Sequence, residues 1–150
     1  MSRFKTRRAD INDVEKIAVL FDAYRQFYEQ EANLNFAKEF ISARLNNNDS
    51  IIFIAEDEVK NALGFCQIYP NFCSVIAAPI YTLSDLFVSP DIRKSGLGKM
   101  LLEQAREHAQ AHGIPRMDLT TAKTNLSAQS LYESLGWVRD EIFYAYNKSV

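Results

Sequence analysis

The densest chemistry in this chain lies between residues 88 and 99, which read Val88-Ser89-Pro90-Asp91-Ile92-Arg93-Lys94-Ser95-Gly96-Leu97-Gly98-Lys99. Glycines at 96 and 98 carry no side chain to keep an anion away from the backbone. Where a helix begins, successive N–H groups point outward, backed by about half a positive charge of the macrodipole. Arg93, Lys94 and Lys99 add cations to the same segment. Phosphate suits such a loop, although a tight strand-to-helix turn that binds nothing would use the same glycines. Neither common nucleotide fingerprint fits: position 101 is Leu, so G-x-G-x-x-G lacks its third glycine, and no G-x-x-x-x-G-K-[ST] is present.

The pattern that fits is Val88-x-Pro90-x-x-Arg93-x-x-Gly96-x-Gly98, following a strand-like run. Downstream comes Asn125-x-x-Ala128-x-x-Leu131-Tyr132-x-x-x-Gly136-Trp137. The first resembles the R/Q-x-x-G-x-G/A pyrophosphate loop of the GNAT superfamily of N-acetyltransferases, and the second resembles that superfamily's later N-x-x-A-x-x-L-Y-x-x-x-G-[FW] motif. The motifs cover Asp85 to Trp137, and the amino-terminal third matches by element order alone. The resemblance implies acetyl-CoA as cosubstrate. Arg93, Lys94, Ser95, Gly96, Leu97, Gly98 and Lys99 would then surround its pyrophosphate, and the backbone of Leu86, Phe87 and Val88 would run along its pantetheine arm, between splayed fourth and fifth strands. One of those N–H groups would stabilise the oxyanion that forms as an amine attacks. Tyr132 matches a tyrosine that returns a proton to the leaving thiolate. Asn125 would touch the pantetheine or the acceptor site, or simply cap its helix. The family chemistry needs no metal and no covalent enzyme intermediate.

An amine arrives largely protonated at pH 7 and must lose a proton before attack. Asp85 is the one carboxylate in the run Tyr81 to Val88, while the positions two and three residues earlier, where other family members place an acid, are Leu83 and Thr82. Asp85 is therefore either the base or an acceptor contact, or else half of a strand-end ion pair. Tyr24, Tyr28, Glu29 and Glu31 cluster at the end of the first helix, and Tyr69, Asn71 and Phe72 follow the third strand. Both segments border the acceptor cleft in the family. Aromatic walls with carboxylates suit a primary amine or polyamine, and an amphipathic helix with a solvated acidic end accounts for the same residues. His108 and His112 have metal-ligand spacing without an evident third ligand, so they read as cationic or polar residues complementing a helix carboxyl end. Cys66 and Cys73 read as small core or loop thiols.

These groups need a scaffold, and periodicity supplies one. A first strand through Phe4 and Thr6 precedes a helix capped by Asp10 or Asn12, on which Val14, Ile17, Ala18, Phe21, Tyr24 and Tyr28 recur. A second helix, outlined by Phe36, Phe40, Ile41 and Leu45, ends at Asn46-Asn47-Asn48-Asp49. Ile51–Ala55 and Ala62–Tyr69 read as antiparallel strands, the latter stopped by Pro70. A bridge over Asn71–Pro79 leads to a fourth strand, Tyr81–Val88. Gly96–Ala111 is the strongest amphipathic helix, with a seam of Leu97, Leu101, Ala105 and Ala109. Met117–Thr121, Leu126–Leu135 and Glu141–Tyr146 read as strand, helix and last strand. The expectation is an α/β (α+β) mixed sheet of GNAT type, with six to seven strands and about four helices, forming one domain over 1–150.

Composition agrees: 150 residues, 47% hydrophobic and 24% charged, suit one globular core. A net charge of −2 gives no field to hold a polyanion, so nucleic acid is disfavoured. The sequence has neither a membrane-length apolar run nor the apolar core of a secretory signal near its start, which points to a cytoplasmic protein. The expected reaction is direct attack of an amine on acetyl-CoA in a ternary complex. The expected acceptor is a small molecule such as a polyamine, amino acid or aminoglycoside. A protein lysine or amino terminus is the alternative acceptor, and an acyl-CoA-binding module without turnover is the alternative class. A homodimer through Trp137, Phe143, Tyr144 and Tyr146 is expected by analogy.

Overall fold

Apolar β-branched and aromatic residues gather in the runs that become the central strands. In a computed structural model that describes residues 3–150, β1 (Lys5–Arg8), β2 (Ile51–Glu56), β3 (Ala62–Cys73), β4 (Ala78–Val88) and β5 (Met117–Asp118) form one sheet in that order. The first four strands are antiparallel, and β5 runs parallel to β4. Met1 and Ser2 lie outside the described residues. The chain divides into two compact units, Met1–Leu119 and Thr120–Val150. The sheet belongs to the first.

Side-chain alternation sorts β2 to β4 between two faces. On one face Ile52, Ile54, Phe65 and Phe87 pack against α1 (Val14–Phe27) and α2 (Leu34–Asn47) through Ile17, Ala18, Phe21, Ala37 and Ile41. On the other, α3 (Leu97–Ala111) buries Leu97, Leu101, Leu102, Ala105 and Ala109. The Cys66 thiol meets the Leu101 carbonyl there at 3.8 Å. Gly64 permits this approach, since a Cβ on it would stand 3.0 Å from the Phe87 carbonyl and 3.3 Å from Leu101.

The start of α1 is fixed to the sheet by charge. Asp10 caps the 3₁₀ turn Ile11–Asp13 that leads into the helix. Arg7 of β1 reaches Asp13 at 2.7 Å and Glu56 at 2.8 Å, and Lys16 of α1 reaches Glu56 at 2.9 Å. The second helix stops at Asn48, whose φ of 52° suits an asparagine.

Several expectations need correction. The described residues form five strands, not six or seven. β3 passes through Pro70 to Cys73 and returns by the tight turn Ser74–Ala77 into β4, so no long bridge spans Asn71–Pro79. Pro70 is tolerated because its neighbour Tyr81 donates its own N–H to Arg116 and the β2 ladder has already ended at Ile51–Ile68. The missing donor is owed to no strand. β5 is two residues long rather than five. Phe36 is exposed under Arg25, and Ala37 is the buried residue of that turn. Glu141–Tyr146 is not a strand: the Asp140 carboxylate accepts the N–H groups of Ile142 and Phe143, and the second unit offers no strand to pair with.

Candidate active site

The register of β4 creates the site's backbone. Gln67 pairs with Asp85 but Ile68 pairs with Leu83, so Ser84 is an extra residue and forms a bulge. Beyond the bulge, Ser89 donates its N–H to Leu63 on β3 at 2.8 Å. By alternation the amides of Val88 and Leu86 turn the other way, toward the β5 side. There the parallel ladder reaches only Tyr81 and Thr82. Leu86 and Val88 therefore present N–H groups along a stretch of edge that β5 leaves unpaired, while the Phe87 side chain is core.

The loop after β4 turns through Pro90–Ile92 and enters α3 with Lys94 at φ 68° and Gly96 at φ 88°. Left-handed backbone is easy for glycine and costs an ordinary side chain about 1–2 kcal/mol. Gly96 is the N-cap and gives no side-chain hydrogen bond, and no atom stands within 4 Å of where its Cβ would be. The first helical bond runs from the Met100 N–H to the Gly96 carbonyl, so the amides of Leu97, Gly98 and Lys99 precede the ladder. A diphosphate fits that end: an uncapped, open helix start with Lys94 and Lys99 exposed beside it. Ser95 donates its hydroxyl to the Ile92 carbonyl, which shapes the turn. Arg93 is already engaged, with Nε donating to the Val88 carbonyl at 3.1 Å and the guanidinium 5.5 Å from the Phe87 ring and 5.8 Å from that of Phe27.

Asp85 lies one residue past the bulge, on the α1/α2 face, and is 4% exposed. Its Oδ2 accepts from Gln67 Nε2 at 2.6 Å. Burial pushes its proton affinity above the ordinary carboxylate value, while hydrogen bonds from Gln67, Ser84 and Tyr24 oppose that rise. Its partners are neutral donors, which disposes of the strand-end ion pair. A buried carboxylate held above its ordinary pKa suits a proton acceptor.

Tyr24 sits on α1 with its hydroxyl donated to the Ser84 carbonyl at 3.1 Å. Its ring meets Phe65, Phe87 and Tyr28 edge-on at 6.0, 6.4 and 5.2 Å. Tyr28 caps the carboxyl end of α1 and Glu29 follows at φ 65°, both exposed. Tyr69, on β3 opposite Thr82, is half-buried, and burial first, then Asp85, raise its pKa. The first unit thus joins Asp85 and Tyr24 directly, with Tyr28 beside them through its ring contact.

In the second unit Asn125 caps α4 (Leu126–Ser134), accepting the Ala128 N–H at 3.2 Å. Tyr132 follows two turns on, its carbonyl accepting the Trp137 N–H and its ring 6.2 Å from that of Trp137. Gly136 closes the helix at φ 90°.

Sequence reasoning missed Gln67 and Ser50. Gln67 is completely buried, and Ser50 Oγ donates to its Oε1 at 2.8 Å. The available signal was a lone amide inside the apolar run Phe65–Ile68. Of the other candidates, His108 and His112 stack at 4.1 Å. His108 packs on Phe53 and Tyr81 in the last turn of α3, where burial and then His112 hold it below its ordinary pKa. Among the described residues no cluster of three metal-ligating side chains forms, and no helix is long and apolar enough to cross a membrane. Burial raises Cys66 to about 12, as for a core thiol.

Residues 17–137 match the Acetyltransferase (GNAT) family. The chain is 43% identical over 140 residues, 93% of each chain, to the uncharacterized N-acetyltransferase YhfO of Bacillus subtilis. Its fold superposes on the crystal structure of a probable acetyltransferase with TM-score 0.90 and 30% identity, over 97% of both chains. It also superposes on an aminoglycoside N-acetyltransferase in complex with CoA, with TM-score 0.83 and 20% identity, over 100% of this chain and 97% of that one. The chain belongs to the acetyltransferase (GNAT) family and is an acetyl-CoA-dependent N-acetyltransferase.

Proposed function

We propose that the acceptor is the primary amine of a small molecule, acetylated by direct attack within a ternary complex. The observation that carries this reading is the placement of Asp85: a buried carboxylate of raised pKa at the β4 bulge, between the α1 aromatics and the unpaired amides of Leu86 and Val88. In this reading the α3 start takes the CoA diphosphate, and the Leu86 or Val88 amide stabilises the oxyanion at the thioester. Asp85 accepts the amine proton, directly or through one water. Attack forms the N–C bond and a tetrahedral oxyanion. Its collapse breaks the C–S bond as the Tyr132 hydroxyl protonates the departing thiolate, and the second proton shed by the nitrogen returns the tyrosinate to its neutral form. Thiolates of pKa about 8.5–10 need little help, so the Tyr132→Phe variant loses kcat modestly and keeps its CoA affinity.

The Tyr24–Tyr28 pair supports a cationic acceptor, because ring faces beside a carboxylate favour ammonium groups. The test is release of free CoA thiol across polyamines, amino acids, aminoglycosides, lysine peptides and amino-terminal peptides. A small amine with kcat/KM at least tenfold above every peptide supports the proposal. A peptide that outperforms the small amines overturns it and assigns a protein acceptor.

A further inference from the structure

The buried side of Asp85 leads to a second pair of residues that the chemistry above does not use. Ser50, at the entry to β2, and Gln67, on β3, are 4% and 0% exposed. Both lie on the sheet face that carries Asp85. Ser50 Oγ donates to Gln67 Oε1 at 2.8 Å, and Gln67 Nε2 donates to Asp85 Oδ2 at 2.6 Å. The order matters, because an amide has one accepting end and one donating end. With its oxygen taken by the Ser50 hydroxyl, Gln67 must turn its NH₂ toward the carboxylate. In the reversed orientation its oxygen would face a carboxylate oxygen, an arrangement tolerable only with a proton between them.

Resting on the reading of Asp85 as the proton acceptor, we propose that Ser50 and Gln67 are positioning residues that hold the Asp85 carboxylate in place and in its proton-accepting form. Burial by itself favours the protonated form of Asp85, which cannot accept a proton from the amine. A directed, charge-assisted hydrogen bond from a fully buried amide limits that rise without introducing a cation, which would compete with an incoming ammonium for the same carboxylate. The other groups facing Asp85 are consistent with this division. From α1 the Tyr24 hydroxyl, and from β4 the Ser84 hydroxyl, also favour the charged form. On β3 the neighbouring Tyr69 is itself raised by burial first and then by the Asp85 charge. Arg44 and Asp49 act on Tyr69 with opposite signs.

The experiment is the pH profile of kcat/KM for wild type, Gln67→Leu, Ser50→Ala, Ser50→Thr and Asp85→Asn, together with a ¹³C-carboxyl titration of Asp85 in the wild type and Ser50→Ala. Gln67→Leu moves the acidic limb up by about one pH unit or more, close to a tenfold loss of rate below the limb, because a hydrogen bond to a charged group is removed. Ser50→Ala moves it in the same direction by a smaller step, Ser50→Thr restores it, and the KM for acetyl-CoA does not follow. The carboxyl titration of Ser50→Ala shifts upward with the limb, and it decides the matter without activity if Gln67→Leu does not fold. An unmoved limb and unmoved carboxyl titration, with Asp85→Asn still inactive, overturn the positioning role and leave the base assignment standing. An Asp85→Asn enzyme that keeps the limb and the rate overturns the base assignment instead.

Discussion

The Tyr24 hydroxyl of α1 is bonded at 3.1 Å to the carbonyl of Ser84, the extra residue of the β4 bulge. The bulge changes which amides of β4 face the β5 side, so this bond ties α1 to the strand whose Leu86 and Val88 amides are the proposed cosubstrate contacts. Tyr24→Phe keeps the ring and removes the bond. Its expected cost is about 1 kcal/mol in chemical denaturation. The KM for the amine rises several-fold and affinity for acetyl-CoA changes less; unchanged KM for the amine would separate Tyr24 from the acceptor.

Gly96 separates backbone strain from steric crowding. Its φ of 88° disfavours any side chain, yet nothing stands within 4 Å of the added Cβ. Gly96→Val should cost about 1–2 kcal/mol of stability from conformation alone. It should weaken acetyl-CoA binding by at least tenfold in calorimetric titration, because the branched side chain occupies the open approach to the α3 amides. Wild-type affinity in a folded variant would remove the loop from the diphosphate site.

As the proposed base, Asp85 should affect activity and stability with opposite signs. Burial, its largest influence, raises the folded pKa above the unfolded value. Its stabilising contribution is therefore complete below the ordinary aspartate range and is lost as pH rises through the raised value. Asp85→Asn imitates the neutral form. Relative to wild type it should gain thermal stability as pH rises from the ordinary aspartate range through the raised value, while kcat falls by about 10²–10⁴. A stability difference that does not grow with pH would contradict the burial argument.

The Arg7 cluster has the reverse pH sign. Asp13 and Glu56 are held below their ordinary values chiefly by hydrogen bonds from Arg7. Their contribution is complete above the ordinary carboxylate range and is lost as pH falls through the lowered values. Arg7→Met leaves two carboxylates, each under 10% exposed, without their main partner. The cost should be about 3 kcal/mol, the low end for breaking a buried pair, since Arg7 is 38% exposed and Lys16 still faces Glu56. Acid unfolding should begin at higher pH in the variant, as followed by circular dichroism.

Much of this architecture was legible in local pattern. The α3 seam, the Asn48 and Gly136 helix ends and the Asn125 cap follow from spacing and from residues with particular backbone or capping preferences. What was not legible depends on pairing partners distant in sequence. Pro70 was read as a stop because a lone strand cannot reveal that β2 has ended and that Tyr81 turns its N–H to Arg116. The Glu141–Tyr146 alternation looked like a strand, but Asp140 takes its first amides and its unit supplies no partner. The Ser84 bulge appears only when β3 and β4 are placed in register, and with it the direction of the Leu86 and Val88 amides. Gln67 and Ser50 are 17 residues apart and carry no motif; their role arises from a shared face of the sheet.

The most direct measurement is a backbone ¹⁵N–¹H titration of the whole protein with acetyl-CoA. The amides of Leu86 and Val88 on β4, and of Leu97, Gly98 and Lys99 at the start of α3, should shift saturably together, with Ser89 and Met100, already bonded within the fold, moving less. Saturable binding that leaves both groups unmoved would contradict the placement of the cosubstrate along the unpaired β4 edge and the α3 terminus.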